Sequence, residues 1–479
     1  MIKISWNHPR AHAWPNKARL ICVLQIMAAM NALLEKYNRP VPRYTSYPTV
    51  PFWEEKIDVE RWKASVREGF TRSNTGKGIS LYLHLPFCES LCTYCGCNKK
   101  ITRNHGEEDP YLETLLREYG LYLELGNDPP LIRSLHLGGG TPTFFSPVNL
   151  QRLITNLLKK SRLHSEYDFS IEGHPNNTSR EHLETLHALG FNRISFGVQD
   201  LDRKVQRVIN RMQPFEQVKL VTEQARAAGF RSVNFDLIYG LPLQTMGGMK
   251  HTIRQVLALR PDRIAFYSYA HVPWTSRSQR LFDENDLPSP AEKLHLYQTG
   301  RELLLEQGYH DIGMDHFALP TDELYLARQE GRLYRNFMGY TIQPAGMLLG
   351  LGVSAISDTG NAYAQNDKQL HNYRQRISQG QLAVQKGYFL NEEDVSFRQY
   401  ILDLACTGKA KLDPIHLPLF RAYSFPILRE LEEDGLITWN EEDVRITGNG
   451  KNFIRNICRA FDLHLLRSTQ QPSVFSKAI

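Results

Sequence analysis

Short apolar runs and helical patterns alternate through residues 81–267, and few folds accommodate that rhythm. Apolar runs fall at 81–86, 134–137, 169–172, 194–198, 233–238 and 264–267. Helical patterns separate them at 111–125, 147–163, 180–189, 216–228 and 247–259. Strand and helix in alternation call for a parallel sheet with helices packed over it. Six units are too few for a closed eight-stranded barrel unless later strands complete it. The candidates for that are 310–314 and 349–354.

A parallel sheet brings all its strand C-termini to one mouth, where α/β folds bind ligands. The first strand stops at Pro86, and a cysteine loop follows. The second ends in Gly138-Gly139-Gly140-Thr141-Pro142, a run that lets backbone N–H groups approach an anion. The third ends in Glu172 and the fourth in Gln199-Asp200. The fifth carries Asp236, and the sixth ends in Tyr269-Ala270-His271. Each alone reads as a turn or cap residue; together, at the same end of successive strands, they describe a site.

The cysteine loop runs Cys88-x3-Cys92-x2-Cys95, with Cys97 two residues on. Four sulfurs normally complete an iron–sulfur cubane, so three thiolates leave one iron open to another ligand. Zinc is the alternative, but zinc sites pair two close cysteines with a second ligand pair well downstream. Cys22, Cys406 and Cys458 are scattered and do not supply one. Cys97 is a possible fourth ligand, though it would close the cluster. His84, on the strand before the loop, is either a hydrogen-bond partner tuning the cluster or an ordinary satisfied histidine.

The loop followed by G-G-G-T-P resembles the radical S-adenosylmethionine (SAM) enzymes. Longer stretches are similar to the oxygen-independent coproporphyrinogen III oxidases: P-R-Y-T-S-Y-P-T (42–49), Y-L-H-L-P-F-C…C-T-Y-C-G-C-N-K (82–99), F-G-V-Q-D (196–200), D-L-I-Y-G-L-P (236–242), G-M-D-H-F-A (313–318) and G-V-S-A-I-S (352–357). The resemblance begins near Met30. It implies a partial (β/α)6 TIM-like barrel and one [4Fe–4S] cluster on Cys88, Cys92 and Cys95. It also implies two SAM molecules per chain, the first at Tyr82, Gly139, Glu172 and Ile356. The second would lie at Tyr94, Gly140, Thr141, Gln199, Arg211, Asp236 and Ala270. Tyr82 and Cys97 are the expected catalytic residues, Cys97 lying near the site without being a routine ligand. The implied reaction starts with a 5′-deoxyadenosyl radical and converts two propionates of coproporphyrinogen III to vinyl groups in haem biosynthesis, giving protoporphyrinogen IX. A reductant such as flavodoxin or ferredoxin is implied, and a monomer is expected. His174 stands where related enzymes carry an acid.

Two other readings stay open at the level of sequence: a haem chaperone of the same fold, and a radical SAM enzyme acting on another substrate. The chaperone relatives lack the P-R-Y-T-S-Y-P lead and generally lack the cysteine matching Cys97, and this chain has both.

The remaining chain divides by texture. Residues 1–29 are basic, then apolar for about eleven residues, too short to span a bilayer. They read as a non-native extension from an upstream start codon, with an amphipathic or targeting segment as the alternative. Residues 30–75 are a cover segment, 76–359 the catalytic barrel, and 360–479 a mostly helical domain with a winged-helix-like segment. That segment is acidic (Glu430, Glu432, Glu433, Asp434, Glu441, Glu442, Asp443), and the net charge of the 479-residue chain is only +6. Neither favours nucleic-acid binding. A substrate with four propionates asks for a basic pocket, with Lys99, Lys100 and Arg103 as candidates. Seven cysteines without a disulfide pattern, and an oxygen-sensitive cluster, point to the cytoplasm.

Overall fold

The computed structural model describes residues 32–468 apart from 275 and 343, together with residue 475. The expected extension at 1–29 lies outside the described residues. The six strands form as β1 (Ile79–Leu85), β2 (Leu131–Gly139), β3 (Arg162–Gly173), β4 (Phe191–Gln199), β5 (Ser232–Tyr239) and β6 (Arg263–Ser268). They pair in parallel in sequence order. The crossovers are α1 (Glu108–Leu123), α2 (Pro147–Leu158), α3 (Arg180–Ala188), α4 (Phe215–Ala228) and α5 (Met246–Leu259). β1 is buried along nearly its whole length, as a strand covered on both faces must be. Hydroxyl caps start three of the helices: Ser146 accepts from Asn149 N–H, Ser179 forms a capping box with His182, and Thr245 accepts from Gly248 N–H.

Both candidate further strands exist, and neither closes the barrel. β7 (His310–Gly313) and β8 (His316–Ala318) extend the sheet beyond β6, but β8 runs antiparallel to it. β9 (Met347–Leu351) joins the other edge, parallel to β1. The sheet then continues antiparallel through β10 (Ile356–Asp358), β11 (Ala362–Asn366) and β12 (Val384–Phe389). The result is an open, twelve-stranded sheet whose middle is a partial (β/α)6 barrel.

β11 and β12 lie beyond the expected boundary at residue 359 and still belong to the barrel's sheet. Residues 360–389 thus differ from the helical texture expected of them: one helix, Leu370–Ser378, sits between two sheet strands. From Glu392 on, the winged-helix-like order appears: helix Glu392–Thr407, strand Lys409–Lys411, helix Phe425–Glu433, then strands Ile437–Trp439 and Asp443–Ile446 in one small sheet. Its core around Phe397, Phe420, Leu428 and Phe461 is separate from the barrel's and also takes in Tyr44 and Tyr47 of the cover segment. Four of its seven acidic residues are paired: Lys36 bridges Glu430 and Asp434 at 3.2 and 2.5 Å, Arg421 meets Glu441 at 3.1 Å, and Arg445 meets Asp443 at 3.0 Å. No helix among the described residues is long and apolar enough to cross a membrane.

Candidate active site

Strand register puts the site residues at one level. Tyr82 of β1 lies beside His136 of β2, which lies beside Ser170 of β3. Glu172 lies beside Ser195, Ser195 beside Asn234, and Gly197 beside Asp236. Side chains at alternate positions face the barrel interior. A cavity of about 160 Å³ there is lined by His136, Ser170, Glu172, Ser195, Asn234 and Asp236, among others.

Glu172 is the acid nearest the glycine run. His136 Nε2 meets its carboxylate at 3.4 Å, and Gly139 N–H donates to it at 3.3 Å. Burial pushes this carboxyl up, but His136 and Gly139 outweigh it, so its pKa lies below the usual value. Asp236 behaves oppositely. It accepts from Ser195 and Asn234 at 3.1 and 2.8 Å, yet burial, then the charge of Glu172, push it up to about 7. Two carboxyls in one cavity thus differ in readiness to ionise.

The glycine run is needed for close approach. Gly139 has φ +118°, and a Cβ there would meet the His84 ring at 2.8 Å. A Cβ on Gly140 would stand 2.5 Å from the Pro86 carbonyl oxygen, in the strand-to-loop turn that leads to Cys88. Gly140 N–H and Thr141 N–H donate to the carbonyls of Leu85 and Phe87, tying the glycine run to the start of the cysteine loop.

Each thiol of the loop faces a donor. The Thr141 hydroxyl donates to Cys88 Sγ at 3.3 Å, and Arg211 Nη1 to Cys92 Sγ at 3.5 Å. Cys97 hydrogen-bonds Cys95, the main cause of a Cys95 pKa lowered to about 6, and the same bond holds Cys97 well above its usual value. Lys99 donates to the Cys95 and Cys97 carbonyls at 3.1 and 3.4 Å. Lys100 and Arg103 are exposed. The loop is pinned from outside: Thr93 bonds the Val208 and Ile209 carbonyls, Asn210 bonds Leu91, and Ser276 bonds Cys95. Among the described residues no three His, Cys, Asp or Glu side chains converge on a single metal ion. A cubane takes each thiolate on a different iron, so its three cysteines need not converge on one point.

The other expected residues fall around this centre. Gln199 sits at positive φ (+65°) at the end of β4. Arg211 donates to the Gly197 carbonyl at 2.7 Å. Gln279 bonds both the Tyr94 and Ala270 carbonyls, bringing those two together. Ile356 opens β10, beside the β9 strand that flanks β1. Tyr82 OH reaches His84 Nδ1 at 3.1 Å, and its ring stacks on His136; the other His84 nitrogen reaches the Asn98 carbonyl at 2.9 Å. His174 is held neutral by burial and then by the Arg211 charge.

The residues 82–256 match the model of the Radical SAM superfamily. The oxygen-independent coproporphyrinogen III oxidase of Pseudomonas aeruginosa is 40% identical over 455 residues, which is 93% of this chain and 98% of that protein. The chain belongs to the oxygen-independent coproporphyrinogen III oxidases. The Escherichia coli K12 member is 40% identical over 459 residues, 94% of this chain and 98% of that one. The solved structure of coproporphyrinogen III oxidase (HemN) from Escherichia coli superposes with a TM-score of 0.83 at 39% identity, covering 89% of this chain and all of that one. With the family come a [4Fe–4S] cluster and SAM. The donor set fits them: three thiols, each with a hydrogen-bond donor, and a cavity-facing carboxylate that accepts from the Gly139 N–H.

Sequence reasoning did not single out His136, Ser170, Ser195, Asn234, Arg193 or Arg263. The signal was present: polar residues stand at alternate positions within otherwise apolar strands, at 134 and 136, 170 and 172, 193 and 195, and 232, 234 and 236.

Proposed function

We infer that this chain carries out the anaerobic oxidative decarboxylation of two propionate side chains of coproporphyrinogen III to vinyl groups, giving protoporphyrinogen IX for haem biosynthesis. The observation that carries it is the near-complete, 40% identical match to coproporphyrinogen III oxidases, in a chain whose thiol loop, glycine run and Glu172 meet at one barrel mouth. In this reading Cys88, Cys92 and Cys95 hold the cluster, with Thr141 and Arg211 stabilising the Cys88 and Cys92 thiolates. Bound there, the cluster and SAM supply one-electron reduction and hydrogen-atom abstraction. Glu172 receives the SAM amine, and Tyr82, Gly139 and Ile356 line that molecule. A second SAM is held by Tyr94, Gly140, Thr141, Gln199, Arg211, Asp236 and Ala270. Tyr82 and Cys97 act beside the reacting groups, Cys97 as a hydrogen-bond donor to Cys95 rather than a fourth ligand. The cover at 30–75 excludes water from a site that must hold a reactive radical. The catalytic unit ends near Phe389, where the barrel's sheet ends. The chain works as a cytoplasmic monomer with a flavodoxin or ferredoxin as reductant.

The test is anaerobic reconstitution followed by incubation with SAM, reductant and coproporphyrinogen III. Vinyl product and carbon dioxide are expected. Cleavage of SAM without vinyl product would overturn the substrate, and haem binding without turnover would overturn the enzyme.

A further inference from the structure

The barrel cavity continues inward past Glu172 and Asp236 to Arg263, and sideways to His316 and Tyr340. Arg263 lies opposite Asn234, two residues deeper than Asp236, so roughly 7 Å further from the mouth. At about 160 Å³ the space is well below the ~300 Å³ at which pockets begin to hold whole drug-sized ligands. It cannot take a four-ring macrocycle, but it can take one arm of it.

The inner wall carries polar groups without partners. The Arg263 side chain is only 8% exposed; its Nε is paired to Asp322 at 2.7 Å, while its Nη2 has no partner. His316 Nδ1, buried on the same wall, also has none. A buried N–H without an acceptor is costly, so such groups usually mark a place where something else binds. The neighbouring polar groups cannot supply one. Asp236 is occupied by Ser195 and Asn234, Asp168 by Arg193 at 2.5 Å, and Asp322 by Arg263 and Ser232. The rings of Tyr267 and Tyr340 stand edge-on to His316 at 5.8 and 5.5 Å and fix its position.

We propose that this cavity receives the reacting propionate arm of the substrate, its carboxylate bound by Arg263 Nη2 and His316 Nδ1–H. This rests on the porphyrinogen reading given above and deepens it. The arm's carbons then lie just inside Glu172 and Asp236, which face the cofactors, while its carboxylate lies at the inner wall. A vinyl product lacks the group that Arg263 binds, so the same contact discriminates substrate from product. Arg263 is a specificity-determining residue in this arrangement.

The test uses the full reconstituted chain and coproporphyrinogen III. Arg263→Lys keeps a cation for Asp322 and removes the free Nη2. Losing a charged hydrogen bond should raise the KM for coproporphyrinogen III about 10- to 100-fold, with the KM for SAM and the cluster absorbance unchanged. His316→Phe should raise the same KM at least several-fold, and it carries the test should Arg263→Lys fail to load its cluster. An active wild type whose variants keep the wild-type KM for coproporphyrinogen III overturns this proposal alone. A KM for SAM that rises in step assigns Arg263 to holding the sheet and also overturns it. A wild type that cleaves SAM but makes no vinyl product overturns the porphyrinogen reading, and this proposal with it.

Discussion

Replacing Glu118 by Gln should reverse sign in its effect on stability between pH 5 and pH 8. Glu118 of α1 is fully buried and ties three distant segments together. Its carboxylate accepts from Gly352 N–H at 2.7 Å, Tyr373 OH at 2.7 Å and Asn366 Nδ2 at 2.6 Å. Burial pushes its pKa up, the three donors pull it back, and it comes to about 7 from an ordinary 4.5. The folded chain therefore holds a proton that the unfolded chain gives up between those two values. Stability contributed by the protonated acid is complete below the unfolded pKa and is lost as pH rises through the folded one. At 1.36 kcal/mol per unit, the loss is about 3 kcal/mol. Gln carries no titratable proton, but its NH2 cannot accept at all where the hydroxyl of the protonated acid still can, costing about 1–3 kcal/mol at every pH. The variant should thus be less stable than wild type at pH 5 and equal or more stable at pH 8. Denaturant unfolding of both proteins at both pH values measures this, because subtracting the two profiles cancels every other titrating group. Parallel pH profiles for the two proteins would refute the reasoning.

Serine at Cys88, Cys92 or Cys95 should abolish the visible absorption of the reconstituted cluster, whereas serine at Cys97 should keep it; a cluster surviving any of the first three removes that residue from the ligand set. Gly140→Ala should lower the unfolding midpoint by an amount equivalent to about 1–3 kcal/mol and reduce cluster loading, because its Cβ would meet the Pro86 carbonyl at 2.5 Å, backbone that cannot swing aside. Full loading at an unchanged midpoint would show that the turn can relax.

The six-stranded frame was legible because parallel strands buried on both faces are apolar runs, and the helices between them keep their own period. The mouth was legible because Gly139, Gly140, Glu172 and Gln199 all sit where strands stop. Edges were not. β3 runs from Arg162, although its first half is polar and exposed and only its last residues carry the apolar pattern. Nor could the sequence say that β9, paired with β1, would still leave the ring open, since β8 reverses against β6 and that edge of the sheet ends at β7 without reaching β9. His136 was passed over for a different reason. Its role exists only through Glu172, 36 positions away, and a lone histidine inside a strand gives no hint of such a partner.

The segment proposed as a cover is fastened to the acidic winged-helix-like domain. Tyr44 OH donates to Asp462 at 3.1 Å, and Tyr47 OH accepts from Leu463 N–H at 3.1 Å. Arg455 donates to the carbonyls of Pro42, at 3.2 Å, and Val41. The same stretch also contacts the barrel unit: Arg43 donates to the Ser268 carbonyl at 3.2 Å and pairs with Asp315 at 3.7 Å, Arg335 donates to the Arg43 carbonyl at 3.5 Å, and Tyr363 OH donates to the Tyr47 carbonyl at 3.3 Å. The segment is thus held by the C-terminal core and by the barrel together, and in the proposed reading of it as a cover that domain sets how tightly the mouth shuts. Arg455→Met keeps the bulk and removes the clamp on residues 41 and 42. The barrel, its thiol loop and Glu172 are untouched, so cluster absorbance should stay at the wild-type level. A looser cover admits water and lets the radical be quenched before it reaches substrate. The ratio of 5′-deoxyadenosine formed to vinyl groups formed should therefore rise several-fold over wild type, while protease cleavage within 41–49 becomes faster. Faster cleavage with an unchanged ratio would mean that the cover does not guard the reaction, and the C-terminal domain would lose this role.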